Sequence, residues 1–514
     1  MSPTPPRFLI VGSGLIGSTI ARLLQIKFHN KIDTVWIDAS RQSDYGKEFT
    51  RQDNLRRFYG LSDQSGNADK NPSQSLIHSS INTLRSSALA PSSIHLLSKI
   101  ISDKDAEDLL WQSGRNFHDL HVWDGNGGAL CAGNRYSEMK FSLNGQSSGW
   151  IGPNEMIQNI LMREIEREGL QVEHAQVKRI EPLFESGASS SLDGNKSRVT
   201  MQKFSRENPK SPAEEVQLDV DLVIGCDGAM SQVRQMANIP FVHNQYEQRA
   251  FVTTVQINDA HMYRAIQRFI PTGPIAMLPI GEGLCNIVWS TTPERAFQLQ
   301  KLSDKELCAA LNEAFNAPLG GCPPESHYHD TNILDRVASF ASSIIDDFAS
   351  DAEIEVPQVV GIAPNKPIDR GSFPLRQIHA KKYIKNGVLL AGDAAHAVHP
   401  LAGQGVNLGF ADAVQLMKAL DLAESAGMQL SSEVILQQHY EKPRHMQNEI
   451  HIQLFNLIKQ MFSVPHESFG LVRGLGMMSI DKIGPLNAAI EQFASYKIDV
   501  DHIPDVTTLR RETI

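Results

Sequence analysis

Four short apolar runs punctuate the chain, each closed by glycine or aspartate: Phe8–Val11, Thr34–Ile37, Leu222–Ile224 and Val388–Ala391. Runs this short and without alternation read as strands buried on both faces, the pattern of a parallel sheet covered by helices. Helical spacing follows the first run through Leu24 and the last from near Gln404. Further helices are expected at Ile94, Leu97 and Ile101, at Ile157, Ile160, Leu161 and Ile165, and from Ser303 to Phe315. Asn154 is expected to cap the second of these and Gly169 to stop it, before a strand at Leu170–His174. A different pattern predicts a second, antiparallel sheet: Pro274–Ile280 and Leu284–Ser290 joined by Gly281-Glu282-Gly283, with short strands between Trp111 and Trp150. Met277, Leu278 and Trp289 are its candidate pocket-lining residues, with plain core positions as the alternative. Arg41–Gln74 is polar and without period, and reads as a surface insertion; Glu185–Pro212 reads as a long hairpin loop. Near the carboxyl end, Ile450, Leu454, Leu457, Ile458, Met461 and Phe462 keep helical spacing. That face either packs on the body or presents an interfacial membrane or partner surface.

The strand ends carry the chemistry. Gly12-Ser13-Gly14-Leu15-Ile16-Gly17 is a G-x-G-x-x-G between strand and helix, and Asp38 closes the next strand, where an acid can bond a ribose hydroxyl. Together they point to an adenine dinucleotide. Asp227-Gly228 and Gly392-Asp393 present two more carboxylates at the carboxyl ends of strands, where open α/β sheets bind ligands. Gly403, Gly405 and Gly409 let backbone approach something flat and large, and the helix starting there aims free N–H groups at it. Such donors suit the edge of a flavin that turns anionic on reduction. His396 and His399 flank that loop, as structural hydrogen-bonding groups or as proton handlers.

Composition narrows the partners. With 514 residues, 41% hydrophobic, the chain has ample material for a core, and a formal charge of −10 argues against a nucleic-acid partner. Cys131, Cys226, Cys285, Cys308 and Cys322 are odd in number and scattered, which indicates no zinc site and a reducing compartment. No apolar run reaches the ~18 residues of a membrane span. The first strand begins so early that Met1–Pro6 leave no room for a signal or transit peptide.

G-x-G-x-x-G at the start, D-G in the middle and G-D later, each at a strand end, together resemble the class A flavoprotein monooxygenases of the para-hydroxybenzoate hydroxylase fold. The stretch G-D-A-A-H-A-V-H-P-L-A-G-Q-G-V-N-L-G-F-A-D from Gly392 is similar to the ubiquinone-biosynthesis branch. Gln267–Pro279, Val288–Thr291 and Ser87–Leu97 are similar to the mitochondrial group that hydroxylates C5 of the ubiquinone ring.

The resemblance implies an α/β fold in which a Rossmann-like FAD-binding domain (1–110, 150–242 and 366–425) is interleaved with a β-sheet substrate domain (111–149 and 243–365), followed by a helical region and tail (426–514). It gives Gly12, Gly14 and Gly17 to the ADP pyrophosphate, Asp38 to the ribose and Arg85 to the phosphates. Asp227 and Gly228 fall near pyrophosphate and ribityl chain, and Gly392 and Asp393 at the ribityl, with Gly403 and Gln404 also binding cofactor. Pro400, Gly405 and Asn407 border the isoalloxazine and are the expected catalytic positions. No metal is implied. The implied reaction is hydroxylation of a polyprenylated phenol or benzoate through a C4a-hydroperoxyflavin and O2, in a peripheral protein on the matrix side of the mitochondrial inner membrane. Only one G-x-G-x-x-G follows a strand, so electrons come from transient NAD(P)H or from a ferredoxin and its reductase. Lys381, Lys382 and Lys385 are a candidate dock for an acidic donor. A structural subunit of the biosynthetic complex, or a flavin-dependent lipid epoxidase or saturase, are the alternatives.

Overall fold

The computed structural model describes residues 4–29, 31–40, 85–124, 138–142, 147–183, 196–205, 212–316, 355–363, 370–398, 403, 405–463 and 498–506. The Arg41–Gln74 insertion, Cys131, Cys322, His399, Pro400 and Gln404 lie outside the described residues.

The apolar runs form strands Arg7–Val11, Asp33–Asp38, Leu222–Gly225 and Val388–Leu390. They are central in an eight-stranded sheet ordered 214–220, 196–203, 172–183, 33–38, 7–11, 222–225, 388–390, 384–385. All four pair in parallel, so their carboxyl ends open on one side. Phe8, Leu9, Ile10, Val223, Leu389 and Leu390 are fully buried, as covering helices require. Helix Leu15–Phe28 lies against helix Gly405–Ser425, and helix Asn154–Arg167 flanks it. A Cβ at Gly409 would come within 2.5 Å of Ile16, so this glycine serves helix packing and not approach to a ligand.

The second sheet has nine strands, in the order 396–397, 370–380, 241–257, 284–291, 273–281, 264–270, 119–124, 138–142, with 359–362 pairing on 241–257. Helices Pro293–Lys301 and Asp304–Asn316 cover one face. Phe251, Val255, Met277 and Trp289 pack there with Leu299, Leu307 and Leu311. Met277 and Trp289 are therefore core; Leu278 points to the other face, beside Ala88, Phe117 and Ile280. That other face is shared by a small sheet of strands 86–89, 149–153 and 115–117 and by helix Lys442–Ser463.

The mixed α/β class expected from the sequence is the class observed. Three local expectations change. Lys196–Lys203 is a strand between 172–183 and 214–220 and no loop; its alternating Ser197, Val199 and Met201 are buried. Asn154 is the first residue of its helix, with Pro153 at the cap position and no side-chain capping bond. In the last helix the apolar positions divide: Phe455 and Phe462 are buried, whereas Ile450 and Leu457 are each 52% exposed. Among the described residues no helix is long and apolar enough to cross a membrane.

Candidate cofactor and substrate site

Three turns meet at the open side of the parallel sheet. In the first, Gly12 has φ +109°, and a Cβ there would lie 2.4 Å from the Cys226 carbonyl oxygen. A Cβ on Gly17 would lie 2.1 Å from the Gly12 oxygen, while one on Gly14 would meet nothing within 4 Å. The outer two glycines thus close the turn and the middle one faces open space. Gly14 occupies the cap position of its helix without a side-chain cap, which leaves the first N–H groups for a ligand. Asp38 accepts from the Ser13 N–H and hydroxyl, both at 2.6 Å, and from the Ser40 N–H and hydroxyl at 2.7 and 2.5 Å. Its acceptor capacity is used to hold the glycine turn to the second strand.

In the second turn Asp227 Oδ2 accepts from the N–H groups of Gln232 and Val233 at 2.7 and 3.1 Å, capping helix Gln232–Met236. Among the described residues its Oδ1 is buried without a partner, and a Cβ on Gly228, φ +79°, would meet nothing within 4 Å. Arg234 is 1% exposed and spans two turns, donating to the carbonyls of Ala394 at 2.6 Å and Ala229 at 2.8 Å.

The third turn is Gly392–Ala394, with Gly392 at φ +60°. Asp412, on the buried face of helix 405–425, accepts from the Gly392 N–H at 2.8 Å, from His396 Nε2 at 2.6 Å and from Arg444 Nε at 2.6 Å. Burial alone would raise its carboxyl, yet the charges of His396 and Arg444 and their hydrogen bonds hold it at about 2. Arg444 continues to the Leu408 carbonyl and to Asn448, which donates to the Tyr383 hydroxyl. His379 Nε2 accepts a hydrogen bond from the Tyr383 hydroxyl at 3.0 Å and its Nδ1–H donates to Glu449 at 2.8 Å; burial and neighbouring His445 lower it to about 4, so it is neutral at pH 7. Asp393 is reachable by solvent yet has its carboxyl raised by surrounding protein, against the lowering charges of His396 and Arg85. Arg85 is exposed at the same end of the sheet, near enough for its charge to act on Asp393, with its guanidinium 5.7 Å from the Phe373 ring centroid.

Gly403, φ +65°, comes up against Ala88, and Gly405 begins the helix with only Val398 near its Cβ direction. Asn407 is fully buried: it accepts from the Ala90 N–H at 3.0 Å and the Ser93 hydroxyl at 2.7 Å, and donates to the Ala88 carbonyl at 2.9 Å. Its side chain clamps helix 405–425 to segment 88–93. His396 likewise makes a structural bond. Asp412, Arg444, Arg234 and Ser13 were missed by sequence reasoning. The signal for Asp412 is an acid among Leu408, Ala411 and Val414 on a buried helix face.

Open space at Gly14 and Gly228 and the orphaned Asp227 Oδ1 fit the phosphates and sugar hydroxyls of a dinucleotide. Fold and turns define a dinucleotide-binding flavoprotein. Residues 7–338 and 349–445 match the family model described as FAD binding domain. Ubiquinone biosynthesis monooxygenase COQ6, mitochondrial, of Mus musculus is 32% identical over 74% of this chain and 74% of its own length. The Homo sapiens protein of that name is 31% identical over 80% of this chain and 82% of its own. A solved structure, p-nitrophenol 4-monooxygenase PnpA from Pseudomonas putida, shares the fold with a TM-score of 0.58 at 15% identity, over 96% of this chain and 99% of that one. The chain belongs to this family of FAD-binding monooxygenases.

Proposed function

We propose that this protein is a FAD-dependent monooxygenase of ubiquinone biosynthesis that hydroxylates the ring of a polyprenylated phenol or benzoate, at C5. The cofactor reading rests above all on the cradle that a Cβ would fill at neither Gly14 nor Gly228, beside the partnerless Asp227 Oδ1. The pathway is supported by the similarity to the COQ6 proteins. Segments 1–110, 150–242 and 366–425 serve the cofactor, and 111–149 and 243–365 the substrate. Gly14 opens to the pyrophosphate in the turn that Gly12 and Gly17 close, Asp38 braces that turn at the ribose end, and Arg85 serves the phosphates. Asp227 and Gly228 serve the pyrophosphate and ribityl region, Gly392 and Asp393 the ribityl, and Gly403 and Gln404 the ring. Pro400, Gly405 and the backbone of Asn407 border the flavin ring.

When bound and reduced, the flavin supplies the activation of O2. What this chain contributes is position and dryness. Asp412 fixes the Gly392 N–H, and so the Asp393 carboxylate, while Asn407 fixes the helix that borders the ring. Val398, Leu120 and Phe269 form an apolar surface to which we assign the exclusion of water from the reacting ring.

The protein works in the mitochondrion, peripherally on the matrix side of the inner membrane. Electrons come from a reduced ferredoxin that docks at Lys381, Lys382 and Lys385. Lys381 and Lys382 are exposed, whereas Lys385 also reaches the Asn238 carbonyl at 2.7 Å. One experiment tests both readings: purified FAD-loaded protein is incubated with O2 and a prenylated 4-hydroxybenzoate, with NADPH or reduced ferredoxin as reductant. The expected outcome is a product heavier by one oxygen, formed faster with ferredoxin, and slowed by salt or by Lys381, Lys382 and Lys385 changed to Glu. Absence of any hydroxylated product overturns the activity; equal rates with NADPH overturn the donor.

A further inference from the structure

The larger sheet carries a polar cluster at the cofactor end of the face that helix Lys442–Ser463 covers. Strand 241–257 slips register against 370–380 between Gln245 and Arg249, a bulge that re-aims the side chains within it. Tyr246 lies in that bulge. Its hydroxyl is 2.7 Å from Gln377 Oε1 and 3.0 Å from Asn456 Oδ1. A phenol has one proton to give, so one of the two amides turns its NH2 toward Tyr246. Burial pushes the Tyr246 hydroxyl up to about 12, which keeps it neutral. The Lys459 ammonium sits 3.8 Å from the centre of the Tyr246 ring, and burial lowers it from its ordinary value.

The location is set by the ladder. Ile378 pairs with Ala397, so Gln377 lies at the register of Val398, the residue leading into the flavin loop. Val398 packs against the apolar cluster of Val122, Phe269, Phe455 and Phe462. A half-buried ammonium, a neutral phenol and an apolar surface therefore converge around Val398.

We propose that Lys459 is a specificity-determining residue: it receives a carboxylate on the aromatic ring of the substrate, with Tyr246 beneath it, while the apolar part of the ligand meets the Val398–Phe269–Phe455 surface. The carboxyl-terminal helix is then a wall of the substrate site. This inference rests on the reading of the substrate as a prenylated aromatic ring.

Isothermal titration calorimetry on the FAD-loaded protein separates the two, because binding heat needs no turnover. The ligands are 3-prenyl-4-hydroxybenzoate and its decarboxylated analogue 2-prenylphenol. The wild type is expected to prefer the carboxylated ligand. Lys459→Met, which keeps the apolar stem, is expected to weaken it about tenfold or more, as loss of a charge-assisted hydrogen bond does, and to leave the phenol unchanged. Lys459→Arg is expected to restore the preference. An equal loss for both ligands marks Lys459 as merely structural and overturns the proposal, as does no loss for either, or a wild type that binds neither. If discrimination appears but no hydroxylated product ever forms, the site stands and the hydroxylase reading falls.

Discussion

Buried charge holds the cofactor turns in place, whereas apolar side chains hold the face of the larger sheet that helix Lys442–Ser463 covers. At the Gly392 turn one carboxylate, Asp412, gathers a backbone N–H, an imidazole and a guanidinium within 2.8 Å, all out of water. Along that face, Phe269 and Phe462 stack with centroids 3.8 Å apart, next to Val122 and Phe455. Hydrogen-bonded charge is directional and fixes a turn to a fraction of an ångström, which a cofactor with defined hydroxyls and phosphates requires. Apolar packing is non-directional and tolerates variation in the shape of what it contacts. The two regions should therefore fail differently.

The largest effect is expected from Asp412→Ala. It strips the partner from buried Arg444 and His396, at a cost of about 3–5 kcal/mol, and frees the Gly392 N–H. Chemical unfolding should register that loss and the purified variant should lack FAD; a flavin-loaded variant of wild-type stability would break the contrast. Because the folded-state carboxyl is held below its usual range, its contribution is present above the unfolded value of about 3.9 and is lost as pH falls through about 2.

Next comes Phe462→Ala on the other side of the comparison. Removing this largely buried ring should cost roughly 3 kcal/mol or less, given that it is 9% exposed. FAD content should stay at the wild-type level, read from the flavin absorbance per protein. Loss of flavin here would mean that the two regions are not separable.

The smallest effect on stability is expected from Asp393→Asn. The protein raises the Asp393 carboxyl, so its ionisation opposes folding: the stability tied to the proton is full below the unfolded value and is lost as pH rises through the raised one. At pH 7 the FAD-free variant should unfold no earlier than the FAD-free wild type, while binding FAD more weakly. Earlier unfolding, or unchanged FAD affinity, would contradict this account.

The difference also decides what could be read from sequence. Turns need particular residues, Gly where φ is positive and Asp where donors converge, so Gly12, Gly228, Gly392 and Asp393 are visible as motifs. The strands between them show as uninterrupted apolar runs. Lys196–Lys203 was hidden because Ser- and Asn-rich flanks masked its alternation. Met277 and Trp289 were assignable to a strand but not to one of its faces, since each face of that sheet is buried against a different partner. Tyr246 and Lys459 meet only because a bulge and a distant helix bring them together, and no spacing rule connects them. Asp412 lay inside a legible motif, yet its role depends on Arg444, which the fold supplies from another helix.

The parallel pairing of Val223–Gly225 with Val388–Leu390 has a consequence for how the chain is made. A ribosome delivers Leu222–Gly225 with one flank already matched by Arg7–Val11 and the other bare. At about 5–20 residues per second, roughly ten to thirty seconds pass before the closing strand emerges. For that interval the nascent protein carries an open, fully apolar strand edge of the kind that recruits other chains. The same late strand delivers the Gly392 turn. The sheet therefore closes before Asp412 and Arg444, which hold the Gly392 turn, have been made, and a chain interrupted ahead of strand Val388–Leu390 retains the open edge.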